Sequence, residues 1–146
     1  MIAFKFAVVV LAGYMLGSIP WGLILSRAIA RIDIRQYGSG RTGGTNVLRT
    51  LGRKAFVLVV LLDISKGAAA VLAGYLIIGS DVLVIGNSGL GAIMGQVIGG
   101  MAAVAGHIWP IYAGFKGGRG VATFFGSIIA MCPAAGLPGG AIFIVT

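Results

Sequence analysis

The sequence predicts an all-α integral membrane protein of about four transmembrane helices, with its N-terminus outside and two glycine- and cation-rich loops on the cytoplasmic face. Three observations predict it. No charged residue occurs between Lys5 and Arg27, nor from Gly120 to Thr146, and each run exceeds the roughly 20 residues that cross a bilayer as a helix. Hydrophobic residues make up 58% of the chain and the mean hydropathy is +1.05, a membrane composition. The net charge of +8 is gathered in short stretches beside the apolar runs. It therefore reads as a topology signal and a source of anion ligands, not as a nucleic-acid surface. By length, residues 1–146 make one membrane domain.

The first span is expected from about Ile2 to Ala28. Its Gly13 and Gly17, four apart, let another helix approach closely. Gly17-Ser18-Ile19-Pro20 should kink it, because Pro20 removes a helical hydrogen bond and the freed carbonyl needs a neighbouring helix or a side chain such as Ser18. A cleaved signal peptide is disfavoured: the apolar run is too long and Ile19-Pro20-Trp21 is a poor cleavage context. A basic loop follows, with Arg27, Arg31, Arg35, Arg41, Arg49, Arg53 and Lys54 opposed only by Asp33. Such an excess marks the cytoplasmic side, which puts Lys5 outside.

The second span, about Ala55 to Gly79, holds Asp63 and Lys66 three apart on one helix face. Ionisable residues at that depth pair with each other or serve function, and a structural pair positioning the basic loops is the first expectation. A third span lies within Val82 to Ala113, its outer part a loop, with no pattern to fix where the helix begins. The last begins at Val121 and meets Pro133 and Pro138. Cys132, the one cysteine, falls in that span as a packing residue, which excludes an intrachain disulfide.

Two stretches carry chemistry. Phe115-Lys116-Gly117-Gly118-Arg119-Gly120-Val121-Ala122-Thr123 sets glycines among cations before a helix expected over Val121 to Ala130. Glycines leave backbone N–H groups uncovered, and a helix N-terminus adds unpaired donors and partial positive charge. A tight turn is the plainer reading, and a phosphate cradle the functional one. The other stretch, Gly38-Ser39-Gly40-Arg41-Thr42-Gly43-Gly44-Thr45-Asn46, precedes a short amphipathic segment carrying Arg49 and ending near Gly52. Its G-x-G-x-x-G spacing lacks the preceding strand and following acid of a dinucleotide fold. Neither loop has P-loop spacing. Together they offer cations, backbone donors and almost no carboxylates, which suits two phosphates held close together and does not suit a metal. No cofactor is expected.

These blocks resemble those of a known family, the bacterial acyl-phosphate-dependent glycerol-3-phosphate acyltransferases, or PlsY family. Gly17-Ser18-Ile19-Pro20 with Gly22 resembles the family's first helix, Gly38 to Gly52 its first cytoplasmic motif, and Leu62-Asp63 with Lys66-Gly67 its second helix. Gly106-His107 with Pro110, then Phe115 to Thr123, resembles its second motif. Arg41 stands where asparagine is usual, Gly44 where alanine is, and Arg119 where lysine is; the last exchange replaces a compact ammonium by a planar fork. Family members continue to a third motif with histidine and asparagine, and nothing after Thr123 resembles it. The expectation is thus the N-terminal part of a longer fold.

The resemblance implies transfer of a fatty acyl group from acyl phosphate to the 1-hydroxyl of glycerol 3-phosphate, giving lysophosphatidic acid and phosphate. It implies a bacterial plasma-membrane enzyme facing the cytoplasm among membrane lipids, linked to the soluble enzyme that makes acyl phosphate. On this reading the donor phosphate lies against Gly117, Gly118, Arg119 and Gly120 with Thr123 at the helix start, and Ser39 reaches it from the other loop. Arg49, helped by Asn46 and Thr45, takes the phosphate of glycerol 3-phosphate, since arginine grips phosphate oxygens in pairs; Lys116 is a weaker candidate. Two roles fit His107: accepting the nucleophile's proton, or fixing the loop while the donor phosphate takes that proton. The acyl tail would lie between helices, where Gly95 and Gly99 leave room. Two readings of other classes are a small transporter of a phosphorylated solute and a non-catalytic subunit binding anionic lipid.

Overall fold

In a computed structural model, which describes residues 2–79, 84–85, 88–134 and 136, the chain is helical. Helix α1 (Ile2–Gly17) breaks at Ser18 to Pro20 and resumes as α2 (Trp21–Ala30). A 3-10 turn (Ile34–Gln36) and α3 (Gly44–Leu51) make up the first loop region, and α4 (Arg53–Ile78) is the longest helix. Two short antiparallel segments, Val84–Ile85 and Ser88–Gly89, pair before α5 (Leu90–Ile108). A second 3-10 turn (Ile111–Ala113) and the second loop lead to α6 (Val121–Met131). Ile2–Ala30, Arg53–Ile78 and Leu90–Ala113 are long and apolar enough to span a membrane; α6 is a shorter apolar helix. Three of the four expected spans are there among the described residues, the third beginning at Leu90, and the shorter α6 stands where the fourth was expected.

The helices meet backbone to backbone through small residues, as membrane helices do when apolar side chains gain nothing by leaving lipid. Gly13 faces Gly99 and Gly17 faces Ala103, so α1 and α5 run in the same direction. Gly74 meets Gly95 and Gly99 meets Ala70 with opposite progression, so α4 runs against them. Helix α6 crosses α4 where Gly67 lies under the Thr123 carbonyl and Gly126 under that of Ile64. Large side chains point outward instead: Phe4 is 74% exposed and Leu76 and Met101 68%. The expected packing by Gly13 and Gly17 holds. The room expected for an acyl tail at Gly95 and Gly99 does not exist, because α4 backbone fills it.

The packing bears on three further expectations. At the break Ser18 is fully buried but its Oγ has no partner among the described residues; the Leu16 carbonyl that Pro20 frees accepts the Ile19 N–H at 3.4 Å, and the neighbouring α4 supplies Lys66 Nζ, 2.8 Å from the Ile19 carbonyl. The packing role expected of Cys132 is corrected, since it lies just beyond α6 and is exposed. Helix α6 ends at Met131, just before Pro133, where an interruption was expected, and Pro138 lies outside the described residues.

Lys5 Nζ reaches the Ile78 carbonyl, 3.3 Å away, which sets the start of α1 beside the end of α4. The first loop, the start of α4, the end of α5 and the second loop therefore share the opposite end. There the apolar residues Leu23, Ile34, Val47, Ala55, Val59 and Ala113 pack into one buried cluster. It is the footing on which both loops stand.

Candidate active site

Asn46 organises the first loop. Its side chain is buried; Oδ1 accepts the Ser39 N–H at 3.0 Å, and Nδ2 lies 3.1, 3.0 and 2.8 Å from the carbonyls of Ile34, Tyr37 and Arg41. Glycines at 38 and 40 take left-handed φ of 54° and 69°, a conformation that excludes most other residues. The loop thereby curls around one amide. With every donor and acceptor of that amide engaged, Asn46 is turned away from the phosphate role expected of it and acts on Ser39 by holding its backbone.

Asp33 and Arg35 clasp the two loops. Asp33 caps the 3-10 turn by accepting the Arg35 N–H at 3.0 Å, and its carboxylate pairs with the Arg35 guanidinium at 2.6 Å and with Arg27 at 3.1 Å. From there Arg35 Nη1 donates to the Ala113 carbonyl, 3.0 Å away in the second 3-10 turn. The Arg35 side chain first, then its backbone N–H and Arg27, hold the Asp33 carboxyl well below the usual carboxylate range, against a smaller opposing effect of burial. Arg35 is raised in turn by Asp33. Sequence reasoning used these residues only as topology charges, although the i,i+2 acid and base beside a turn was a readable signal.

The second loop passes over His107. Its Gly118 N–H donates to the His107 carbonyl at 3.1 Å. A Cβ on Gly118 would strike His107 Nε2 and come within 3.1 Å of Gly43 Cα; one on Gly117 would strike the His107 carbonyl. Only glycine fits either place. The two loops thus touch at Gly43 and Gly118, above the imidazole. Gly120, at φ 80°, turns the chain into α6 with no side-chain cap, which leaves the first amide N–H groups of that helix free for an anion.

Around this junction Ser39, Thr45, Arg49, Lys116 and Arg119 are exposed, and among the described residues none of their side chains has a partner. His107 and Thr123 are not on that open side. Both are buried, and Thr123 Oγ1 lies 3.2 Å from His107 Nδ1; Thr123 thus contacts the histidine, not the space over the loop. Among the described residues no group of three His, Cys, Asp or Glu gathers as for a metal.

Comparison with known proteins shows the family. A sequence profile described as glycerol-3-phosphate acyltransferase matches residues 7–146. The chain belongs to the glycerol-3-phosphate acyltransferase family. A glycerol-3-phosphate acyltransferase 3 of Dehalococcoides mccartyi (strain ATCC BAA-2266 / KCTC 15142 / 195) is 54% identical over 99% of this chain and 67% of its own length. One of Dinoroseobacter shibae is 41% identical over 96% of this chain and 63% of its own. The crystal structure of PlsY, an integral membrane glycerol 3-phosphate acyltransferase in its glycerol 3-phosphate form, superposes with a TM-score of 0.77 at 35% identity, over 95% of this chain and 64% of that one. The lysophosphatidic acid form of the same protein gives 0.73 at 34% identity. This member of the glycerol-3-phosphate acyltransferase family spans about two thirds of the length of the relatives it matches, and like PlsY it is an integral membrane protein. Neither the transporter nor the lipid-binding subunit finds support in these likenesses.

Proposed function

We propose that this chain carries the substrate-phosphate sites of an enzyme that moves a fatty acyl group from acyl phosphate to the 1-hydroxyl of sn-glycerol 3-phosphate. The observation that carries the reading is the junction of two glycine loops at Gly43 and Gly118, with Arg49, Lys116 and Arg119 on those loops and α3 exposed and without side-chain partners among the described residues, in a chain of this family. The donor phosphate sits on the N–H groups of Arg119 and Gly120 and the open start of α6, with the Arg119 side chain over it and Ser39 opposite, while the Gly118 N–H stays on the His107 carbonyl. The phosphate of glycerol 3-phosphate goes to Arg49 on α3, with Thr45 beside it and Lys116 across.

In the reaction the 1-hydroxyl oxygen bonds to the acyl carbonyl carbon as the anhydride C–O bond to phosphate breaks. The hydroxyl proton leaves on the released phosphate, since the His107 ring is closed off beneath Gly118. Catalysis then rests on holding two anions in line and on donors aimed at charge growing on the carbonyl and phosphate oxygens. The loops face the cytoplasm by their excess of cations, where a soluble enzyme supplies acyl phosphate.

The test is transfer from palmitoyl phosphate to radiolabelled glycerol 3-phosphate in membranes that contain this chain and no other acyltransferase. Labelled lysophosphatidic acid is the expected product, either from the chain alone or once the C-terminal third of a relative is appended. Absence of product from both overturns the reading.

A further inference from the structure

Beneath the loops lies a set of ionisable groups that the acyl transfer does not use. Asp63 and Lys66 on α4 and His107 on α5 are 2%, 5% and 6% exposed. Asp63 Oδ1 is 2.9 Å from Lys66 Nζ and 3.4 Å from His107 Nδ1. Lys66 Nζ also donates to the Ile19 carbonyl at the break between α1 and α2. At the other end, the His107 ring packs under Gly118 and its carbonyl takes the Gly118 N–H. A line of contacts therefore runs from the broken first helix, through α4, to the backbone of the second loop.

We propose that Lys66, Asp63 and His107 are positioning residues that hold Gly117 and Gly118 in the form that binds the donor phosphate. The inference rests on the acyl-transfer reading for what the loop binds, but its first link is independent of it. Asp63 Oδ1 lies at an ion-pair distance of 3.4 Å from His107 Nδ1 and makes no hydrogen bond of its own among the described residues, but its negative charge favours a hydrogen on the Nδ1 it faces, and Thr123 Oγ1, 3.2 Å from the same nitrogen, takes the hydrogen bond. That fixes the tautomer and the face of the ring, much as a carboxylate orients a metal-bound histidine. The oriented ring sets the height of Gly118, since Nε2 occupies the place of its missing Cβ. Lys66 is required because a carboxylate among apolar helices needs a compensating charge. Another of the ammonium's N–H groups goes to the Ile19 carbonyl, which Pro20 leaves outside a regular helix. Hence a small shift at the break reaches the loop through two charges and one ring.

The chain has a single histidine, so the 15N spectrum of 15N-histidine-labelled protein in detergent reports one ring. The expected wild-type signature is a protonated Nδ1, and Asp63→Asn should redistribute that proton. The same samples are titrated with octyl phosphate, a donor mimic that cannot transfer an acyl group, and with glycerol 3-phosphate. Asp63→Asn should weaken octyl phosphate on the order of tenfold, as for partners in one network, and leave glycerol 3-phosphate within about twofold. The neutral double variant Asp63→Asn/Lys66→Met avoids a lone buried charge and should show the same selective loss even where the single variant fails to fold. Unprotonated Nδ1 in wild type, unchanged octyl phosphate affinity in the double variant, or equal loss of both ligands would overturn the proposal. If neither the chain alone nor the chain with the C-terminal third of a relative appended binds either ligand, the acyl-transfer reading fails, and the proton's response to Asp63→Asn still decides whether the carboxylate orients the ring.

Discussion

Gly118→Ala is the sharpest perturbation of the site, because one methyl group has a determined destination. Its Cβ would land on His107 Nε2 and 3.1 Å from Gly43 Cα. To admit it the loop must rise, which breaks the 3.1 Å bond from the Gly118 N–H to the His107 carbonyl, or the ring must turn away from Asp63. Overpacking of this kind costs about 1–3 kcal/mol, and a lost buried hydrogen bond adds about 1 kcal/mol. The donor phosphate should suffer more than stability does, since displacement by about 1 Å can lower a rate on the order of a hundredfold. Gly43→Ala is the control from the other side of the junction. It has φ −77°, and its Cβ would meet only Gly118 Cα at 3.5 Å and Arg119 N at 3.9 Å, ordinary contacts. In the palmitoyl phosphate assay Gly118→Ala should raise the donor KM and lower kcat, with a melting temperature a few degrees down, while Gly43→Ala falls between it and wild type. Equal damage from the two alanines, or an undisturbed donor KM in Gly118→Ala, would refute the reasoning.

Arg49→Ala and Arg119→Ala should each reduce acyl transfer by about 10- to 100-fold, the range for a lost hydrogen bond to a charged group, the first acting mainly on the KM for glycerol 3-phosphate and the second on that for the donor. Arg119→Lys keeps the charge but not the fork and should retain part of the activity; full loss would make the planar geometry essential. The Asp33 carboxyl is lower in the folded protein than its ordinary value of 3.8, so its contribution to stability is complete above that value and fades as pH falls toward the folded pKa. Melting temperature should be insensitive to this group near neutrality and drop below about pH 4, and Asp33→Asn, which starts lower, should lose that acid-side drop. Gly126→Ala would drive a methyl into the Ile64 carbonyl where α6 crosses α4; a loss of about 1–3 kcal/mol, seen in thermal unfolding, is expected, and an unchanged melting temperature would contradict the crossing.

The spans and the two loops were legible because they rest on one-dimensional signals: charge-free runs long enough for a bilayer, and glycines interleaved with cations. The pairing of Asp63 with Lys66 was legible for the same reason, since three residues along a helix is a local relation. His107 joins them from another helix, and no spacing announces that. Asn46 shows a different limit. An amide among hydroxyls and glycines has the chemistry of a phosphate ligand and equally that of a loop organiser, and only its three carbonyl neighbours and the Ser39 N–H decide for the second.

Small residues carry the deepest ambiguity, and it bears on how this membrane site is built. A glycine leaves space, and in a membrane that space is filled either by a ligand or by the next backbone. At Gly95 and Gly99 the backbone of α4 fills it; at Gly118 the imidazole does. The close approach of α4 to α5 through Gly74 and Gly95 is what brings Asp63 within 3.4 Å of His107, because a bulkier seam would part the helices by more than a carboxylate can span. Glycines deep in the bundle and glycines in the loop are therefore parts of one arrangement: the first set lets two helices touch, the touch places a carboxylate 3.4 Å from a histidine, and the ring of that histidine lies under the second set, which on the proposed reading forms the phosphate site.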